Sequence, residues 1–581
     1  MMAFAAPSGR CARNALAAAC WRVAALSLLP TALSATVYQV GPGHAYDSIG
    51  AVPWESLAAG DSVVIHWRSE PYREKWVICR VGSPAAPLVV RGLPSPTGEL
   101  PVVSGENATT RPQLNYWNRE RGVVKIGGAN VPPDCMPAHI IIEGLRIRSA
   151  RPPYTFDGGT AYSTSASAVY VEKGEYLTFR NCVFDDCANG LFTAWQSADV
   201  MVDGCSIYDN GISGSIYQHN SYCEAQGITY QRNHYGPLRA GCPGNNLKDR
   251  SSGCVIRYNW IESGNRQLDL VDSDYSELYD DPSYRETFVY GNVLIEPDGA
   301  GNSQICHYGG DSGTTGHYRK GTLHFFNNTV VSTRSGNTTL FRLSTNDESC
   351  DCRNTLAYVS ATGTHLAMLD ATGMLDLRHD WFKTGWVNCH GTLEGEVHNL
   401  GGVVAGSAPG FGNEGAQEFW PATGSACIDA GTSLADACLP DHPADLEYVK
   451  HTAIKARASA PPRDIGAYEH PHGGGVPDAV AGMGATAAGS SVVLRWSPVT
   501  TDTCGLPLAP DGYRVFVSTE SYFAPDNELL LASSTDTTAV APGSAQDDGA
   551  DHFFRVTAFR AGAEGTGSPA VGAVDYFTGS P

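Results

Sequence analysis

Six stretches decide how the chain folds: "LTFRNCVFDDC" (177–187), "VMVDGCSIYDN" (200–210), "ITYQRNHYGP" (228–237), "CVIRYNWIES" (254–263), "TFVYGNVLIEP" (287–297) and "TLHFFNNTVVS" (322–332). Each is a β-branched or aromatic run, a turn centred on Asn181, Gly204, Asn233, Asn259, Asn292 or Asn328, and a second run of the same kind. That composition reads as strand, turn, strand. Asn or Gly at every turn fits a position of left-handed backbone geometry, and successive Asn amides can stack as a ladder. Almost nothing between about residue 60 and residue 370 has helical periodicity.

A second column lies downstream in each repeat, anchored by Leu191, Ile216, Leu247, Leu268, Ile305, Leu340 and Leu366. The steps between these anchors vary from 21 to 37 residues, so loops of variable length interrupt a constant core. Two aligned columns per repeat, with insertions at chosen corners, describe a solenoid. The expected fold class is all-β, a parallel β-helix followed by a linker at 471–477 and a small β-sandwich over 478–581. A sandwich throughout would instead show antiparallel hairpins with two-residue turns.

The first 35 residues carry Arg10, Arg13 and Arg22 with no acid, then the apolar "VAALSLLPTAL" and the small residues "SAT". This order reads as a secretory signal peptide over 1–35, with a retained anchor as the alternative. The expected location is secreted or extracytoplasmic, in the periplasm or at the cell surface. The formal net charge is -21 and becomes about -24 without those three arginines. Nucleic acid and anionic membrane are therefore poor partners, and a monomer acting on polysaccharide is expected. Of 17 cysteines, fifteen lie beyond residue 35, and they fit disulfides in an oxidising compartment better than a metal site. Cys182 and Cys205 follow equivalent turns on adjacent coils, at a spacing suited either to a disulfide or to two stacked buried thiols.

The opening repeats, the segment "YQVGPGHAYDSIGAVPWESLAAGDSVVIHW" (38–67), and the phrases "SACIDAGTS" (425–433) and "RDIGAYEH" (463–470) together resemble the pectate-lyase-like superfamily of right-handed parallel β-helices. That resemblance implies a right-handed parallel β-helix over 36–470, with an N-terminal cap and a closing segment. It leaves activity open, because one fold carries lyases, hydrolases, esterases, epimerases and inert adhesins. Beyond "EHPHGGGVPDA", the runs "SVVLRWSPV", "GYRVFVSTE" and "HFFRVTAFRA", with Trp496 and Tyr513 at core positions, resemble a fibronectin type III domain.

Stacking the second column places residues from distant coils about one strand spacing apart, near 4.8 Å. If the anchors point inward, Tyr217, Lys248 and Asp269 point outward on successive coils, and His219, Arg250 and Tyr308 share that face. Five basic and two acidic residues between Arg239 and Arg266 make the patch locally positive. Such a patch suits a uronate polysaccharide and β-elimination. Arg250 and Arg266 would hold the carboxylate, Lys248 would act as base with its pKa lowered by a neighbouring cation, and Tyr217 or His219 would supply a proton. Asp269, His307 and Tyr308 border the same groove as candidate substrate-binding groups. Asp269, Asp272 and Asp274 are candidate calcium ligands, or turn residues.

The stretch "NNLKDRSSG" also resembles the chondroitinase-B and alginate-lyase branch, in which Lys248 would match the proposed base. The sequence departs from that branch where "LDLVDSD" replaces an Arg-His segment, leaving Arg250 and Arg266 as substitutes. Several other readings stay open: a glycoside hydrolase, an epimerase, a non-catalytic glycan-binding surface protein, or a plain Lys248–Asp269 salt-bridge ladder. Asp185 and Asp186 are either half of a hydrolytic carboxylate pair or turn residues. Trp117 is either a sugar-stacking wall or part of a capping loop.

Overall fold

A computed structural model describes residues 35–457, 462–471, 476–503, 508–543, 551–560 and 562–573. Residues 1–34 of the expected 1–35 export signal and part of the 471–477 linker lie outside the described residues. The main body is built from parallel ladders arranged as three faces, in a sheet of 22 strands that wraps one corner and a separate sheet of 11. The first face runs through Gly122–Ile126, Ser167–Val171, Asn189–Thr193, Ser221–Cys223, Leu247–Asp249, Leu268–Leu270, Gln304–Tyr308 and Thr338–Leu343. Two long strands, Ser167–Arg180 and Asn189–Asp203, bend around a corner and continue into the second face. That face then passes through Gln226–Gln231, Ser252–Arg257, Glu286–Tyr290 and Thr322–Phe326. The third face is the sheet of 11, from Val102–Ser104 to Val404–Gly406.

The corner between the second and third faces carries the Asn turns. Asn233, Asn259, Asn292 and Asn328 are buried, and the Nδ2 of each of the first three donates to the Oδ1 of the next at 3.0 Å. The Oδ1 of Asn259, Asn292 and Asn328 also accepts the backbone N–H of the preceding Asn, at 2.9 to 3.0 Å. The ladder therefore satisfies polar groups that the interior would otherwise leave unpaired. The left-handed residue is the one before the ladder position: Arg232, Tyr258, Gly291 and Asn327 have φ of 47°, 54°, 66° and 51°. In the earlier coils Asn181 and Gly204 take that left-handed place, so Cys182 and Cys205 occupy the ladder position. Both thiols are free and buried and donate to backbone carbonyls, Cys182 to Arg180 O at 3.4 Å and Cys205 to Phe179 O at 3.4 Å. This is the stacked-thiol arrangement.

A second ladder, Asn210 to Asn220 at 3.0 Å and Asn220 to Asn246 at 2.8 Å, sits directly before the first-face strands at Ser221 and Leu247. It sets the register of those strands. Inside the coil, Leu191, Leu247, Leu268, Leu270, Cys306 and Tyr308 form part of one continuous core. Burying each large aliphatic side chain contributes roughly 1.5–3 kcal/mol. Asp185 and Asp186 are structural: Asp185 pairs with Arg146 at 2.8 Å, and Asp186 with Arg151 and Arg239, each at 2.8 Å.

The N-terminal segment caps the first coil with Trp54 stacked on Trp76, ring centroids 5.0 Å apart. The phrases at 425–433 and 463–470 fold back along the side of the coil. Gly431 N–H donates to Arg463 O at 2.8 Å, and Asn354 Nδ2 to Thr432 O at 2.9 Å. After them, Gly484–Ala488, Ser491–Arg495 and Thr538–Pro542 form one antiparallel sheet, and Gly512–Ser518, Leu530–Ser534 and His552–Arg560 form the centre of another. They share a core in which the Trp496 and Tyr513 rings lie 5.4 Å apart. This unit touches the coil at the end of the second face, where Ser521 Oγ donates to Glu143 Oε1 at 3.2 Å and Arg91 lies over Phe553.

Candidate active site on the first face

Register assembles an outward column on the first face: Lys125, Tyr170, Phe192, Tyr222, Lys248, Asp269, His307 and Arg342 stand on successive coils. Two expectations change here. Tyr217 is not in the column; it lies in a loop before Asn220 and is 74% exposed, with Ile216 beside it 58% exposed. The apolar residue that looked like a core anchor belongs to that loop, and Tyr222 holds the column position. Farther on, the inward partner of Leu268 is Cys306 rather than Ile305. A shift of one residue exchanges the two faces, so Tyr308 is buried in the core while His307 points out beside Asp269.

The upper part of the column is aromatic. Tyr170, Phe192 and Tyr222 have ring centroids 5.6 and 5.0 Å apart, and Arg121 lies over the first two. A cavity of about 430 Å³ opens beside Phe192 and Tyr222, and Thr164, Asn189, Tyr217 and Gln218 also line it. Every residue lining it is uncharged. Trp195 and Tyr275 form a stacked pair at 4.7 Å.

The lower part is a network of charge. Lys248 Nζ donates to Asp269 Oδ2 and to Asp311 Oδ2, each at 2.6 Å. Burial alone would lower the Lys248 ammonium, but the two carboxylates outweigh it and hold the group above its ordinary value. The lowered base expected for Lys248 is therefore corrected: this amine stays charged. Asp269 also accepts from Asn245 Nδ2 at 2.6 Å and from His307 Nδ1 at 2.8 Å. Burial opposes its charge, yet Lys248 and His307 keep it well below the usual carboxylate range. Burial lowers His307, which is neutral; its Nε2 meets Ser344 Oγ at 3.0 Å.

His219 is 3% exposed and its Nδ1 accepts the Asn245 N–H at 3.0 Å. Burial and the Lys248 charge push it down to about 3, so at neutral pH it is a neutral imidazole and does not serve as the general acid. Arg250 is engaged as well: Nε donates to Tyr222 OH at 3.0 Å and Nη2 to Asp311 Oδ1 at 2.8 Å. Arg266 is 9% exposed and donates Nε and Nη2 to Gln304 Oε1 at 2.9 and 2.6 Å. Neither arginine is a free carboxylate clamp. The Arg342 guanidinium, by contrast, makes no hydrogen bond or ion pair with the described residues.

Two of the three candidate calcium ligands already have protein partners. Asp272 Oδ1 accepts the Asp311 N–H at 2.8 Å and its Oδ2 accepts Ser312 Oγ, while Asp269 is committed to Lys248 and His307. Among the described residues no group of three His, Cys, Asp or Glu side chains gathers to hold a metal. Asp272 instead anchors the loop that carries Asp311. The same loop is tied from its far end by fully buried Arg319, which donates to Ser251 O at 2.8 Å and pairs with buried Asp249 at 3.4 Å.

Two carboxyl groups were not visible in the initial pattern. Glu224 directly follows the strand Ser221–Cys223, and Cys223 pairs with Asp249, so Glu224 falls beside Arg250. Ser273 Oγ donates to Glu224 Oε1 at 2.5 Å. Burial pushes this carboxyl up to about 7 against the opposing pull of Ser273 and Arg250. Asp311 goes the other way: burial opposes its charge, but Lys248 and Arg250 hold it below its ordinary value. With the correct register, Glu224 follows from sequence. Asp311 does not, because it sits in a loop outside any ladder.

Trp117, 38% exposed, donates Nε1 to Glu172 Oε1 at the far end of the column, near Lys125.

The chain is similar to an alginate lyase from Paenibacillus sp. str. FPU-7, at 10% identity over 56% of this chain and 93% of that one, with a TM-score of 0.39. It is similar to a GH136 lacto-N-biosidase from Eubacterium ramulus, at 10% identity over 63% and 68%, TM-score 0.34. It is also similar to a DFA-IIIase from Arthrobacter chlorophenolicus A6, at 10% identity over 60% and 74%, TM-score 0.31. No curated protein matches the chain. Residues 143–347, which hold the charged network and the loop that carries Asp311, match the family described as the right handed beta helix region.

Proposed function

We propose that this is an exported carbohydrate-active enzyme that hydrolyses a glycosidic bond in the groove of the first face, with Glu224 as general acid and Asp311 as its ionised partner. One observation carries the reading: two carboxyl groups flank Arg250 and are shifted in opposite directions, Glu224 up to about 7 and Asp311 down. Environments that separate two carboxyl pKa values assign the acid and the anion of a glycosidase. Glu224, protonated on the oxygen not held by Ser273, gives its proton to the leaving glycosidic oxygen. Asp311 faces the positive charge that develops at the anomeric carbon. Lys248 and Arg250 keep Asp311 ionised and in place, and neither takes a proton. Tyr170, Phe192, Tyr222 and the Trp195–Tyr275 pair offer apolar faces on which sugar rings stack. The C-terminal unit, of fibronectin type III kind, acts as a spacer on the opposite side of the coil.

A second reading, β-elimination at a uronic acid, has one observation in its favour. Arg342 is unpaired on the column beside His307, and a free guanidinium there suits a substrate carboxylate. The proton relay would then fall to Tyr222, whose oxygen accepts from Arg250 and leaves its own O–H to the groove. A panel of neutral and uronate polysaccharides separates the two. Hydrolysis yields new reducing ends without ultraviolet absorbance, whereas elimination yields absorbing unsaturated ends. Retained glycan binding with neither product would support a surface adhesin.

A further inference from the structure

We infer that Cys79 and Cys135 form a disulfide in the exported protein and that this bond pins one wall of the groove to the first coils. The two Sγ atoms lie 3.7 Å apart, in contact, across a sequence separation of 56 residues. Cys79 follows the strand Glu74–Ile78 and is 1% exposed, and Cys135 is partly exposed in the segment between Ala129–Val131 and Ala138–Glu143. Residues 133–137 have no regular structure. They can supply the approach of roughly 1.7 Å that brings two touching sulfurs to bonding distance. Cys182 and Cys205 lack such a movable segment: both are buried, and each lies between two strands of the parallel ladders, Cys182 between Ser167–Arg180 and Val183–Asp185 and Cys205 between Asn189–Asp203 and Ser206–Tyr208.

The bond forms by exchange with an external disulfide. One thiolate attacks the external disulfide, the second displaces it, and an S–S bond joins Cys79 to Cys135. The two thiols lose two protons and two electrons, and the external disulfide leaves as two thiols. In the folded, reduced chain, burial and the nearby Cys79 thiol push Cys135 up to about 11. A thiol in that state attacks slowly at neutral pH, so the bond forms during folding, before this segment packs.

What the bond would hold is the upper end of the column. Lys125 Nζ donates to the carbonyls of Gly127 and Gly128, each at 2.7 Å, and Asp134 pairs with Lys173 at 2.6 Å. The segment 127–135 therefore borders Lys125 and the glycan path above Tyr170.

The test uses the full chain recovered from an oxidising compartment, alkylated while denatured and mapped without reduction. The expected result is one peptide pair linking Cys79 to Cys135, released by reductant, with Cys182 and Cys205 alkylated. In a Cys135→Ser variant Cys79 becomes alkylatable. A reductant lowers the melting temperature of the wild type and leaves that of the Cys79→Ser/Cys135→Ser variant unchanged. Alkylation of both Cys79 and Cys135 in the unreduced wild type, or their linkage to other cysteines, overturns the inference.

Discussion

Lys248 and Asp269 face each other on adjacent coils with Nζ 2.6 Å from Oδ2, and Asp311 closes on the same ammonium from a loop 63 residues away. Both partners are almost fully buried, at 7% and 2% side-chain exposure. Removing one member of a buried pair leaves an uncompensated charge, which costs far more than a surface pair returns. The ammonium is thus the keystone of the carboxylate cluster, and the chemistry moves to the carboxyls around it.

Lys248→Ala should lower unfolding free energy by about 3–5 kcal/mol. Urea denaturation at neutral pH checks this. The pH dependence has a definite sign. Asp269 is depressed in the folded state, so its contribution is present above its unfolded pKa and is lost as pH falls below about 4. Lys248 is raised, so its contribution is present below its unfolded pKa and is lost only as pH climbs beyond about 10.4. A variant as stable as the wild type would remove Lys248 from this role.

Glu224→Gln should be more stable than the wild type at pH 8. A carboxyl raised to about 7 when folded binds its proton more tightly than when unfolded, so wild-type stability falls as pH rises from about 4.3 towards 7. Glutamine has no such slope. Parallel thermal melts at pH 5 and pH 8 read the difference, and equal slopes for the two proteins would count against the raised carboxyl.

Activity should follow a bell. The upper limb falls near pH 7 as Glu224 loses its proton, and the lower limb lies below the ordinary Asp value as Asp311 is neutralised. The profile of kcat/KM against pH should lose its upper limb in Glu224→Gln, with kcat reduced by about 10²–10⁴.

Arg319→Met should destabilise the fold by about 3–5 kcal/mol, because it leaves Asp249 charged and unpaired inside the coil. It should also lower kcat, since Arg319 ties down the loop that presents Asp311. Adding Asp249→Asn should restore much of the stability without restoring kcat. A double-mutant cycle with denaturation and turnover measures both.

Trp195→Ala should raise KM by roughly 3- to 10-fold, in line with about 0.5–1.5 kcal/mol for an aromatic stacking contact. It should leave kcat nearly unchanged, because the indole touches sugar rather than the reacting bond. A kcat loss with constant KM would place Trp195 elsewhere in the mechanism.

The coil itself was legible because its determinants are local and periodic. The Asn turns recur with the strands, and the ladder from Asn233 to Asn328 is what those amides can form. Placement within the column was less secure. Ile216 looked like a core anchor because it is apolar and correctly spaced, yet the strand begins after Asn220, where the second ladder sets the register. A one-residue slip at Ile305 exchanged Cys306 with His307. Lys248 and Asp269 could be read as neighbours because their strands carry no insertion between them that alters register. The charge state of Lys248 could not, since it depends on Asp311, a loop residue whose position no periodicity encodes.

The most direct test of Glu224 and Asp311 as the hydrolytic pair is the fate of water at the cleaved bond. A cleavable polysaccharide digested in water enriched in oxygen-18 and analysed by mass spectrometry should give products that gain one labelled oxygen per break. That gain should disappear in Glu224→Gln and Asp311→Asn. Products one water lighter at a new unsaturated end, formed without label and still formed by the Glu224→Gln and Asp311→Asn variants, would contradict it.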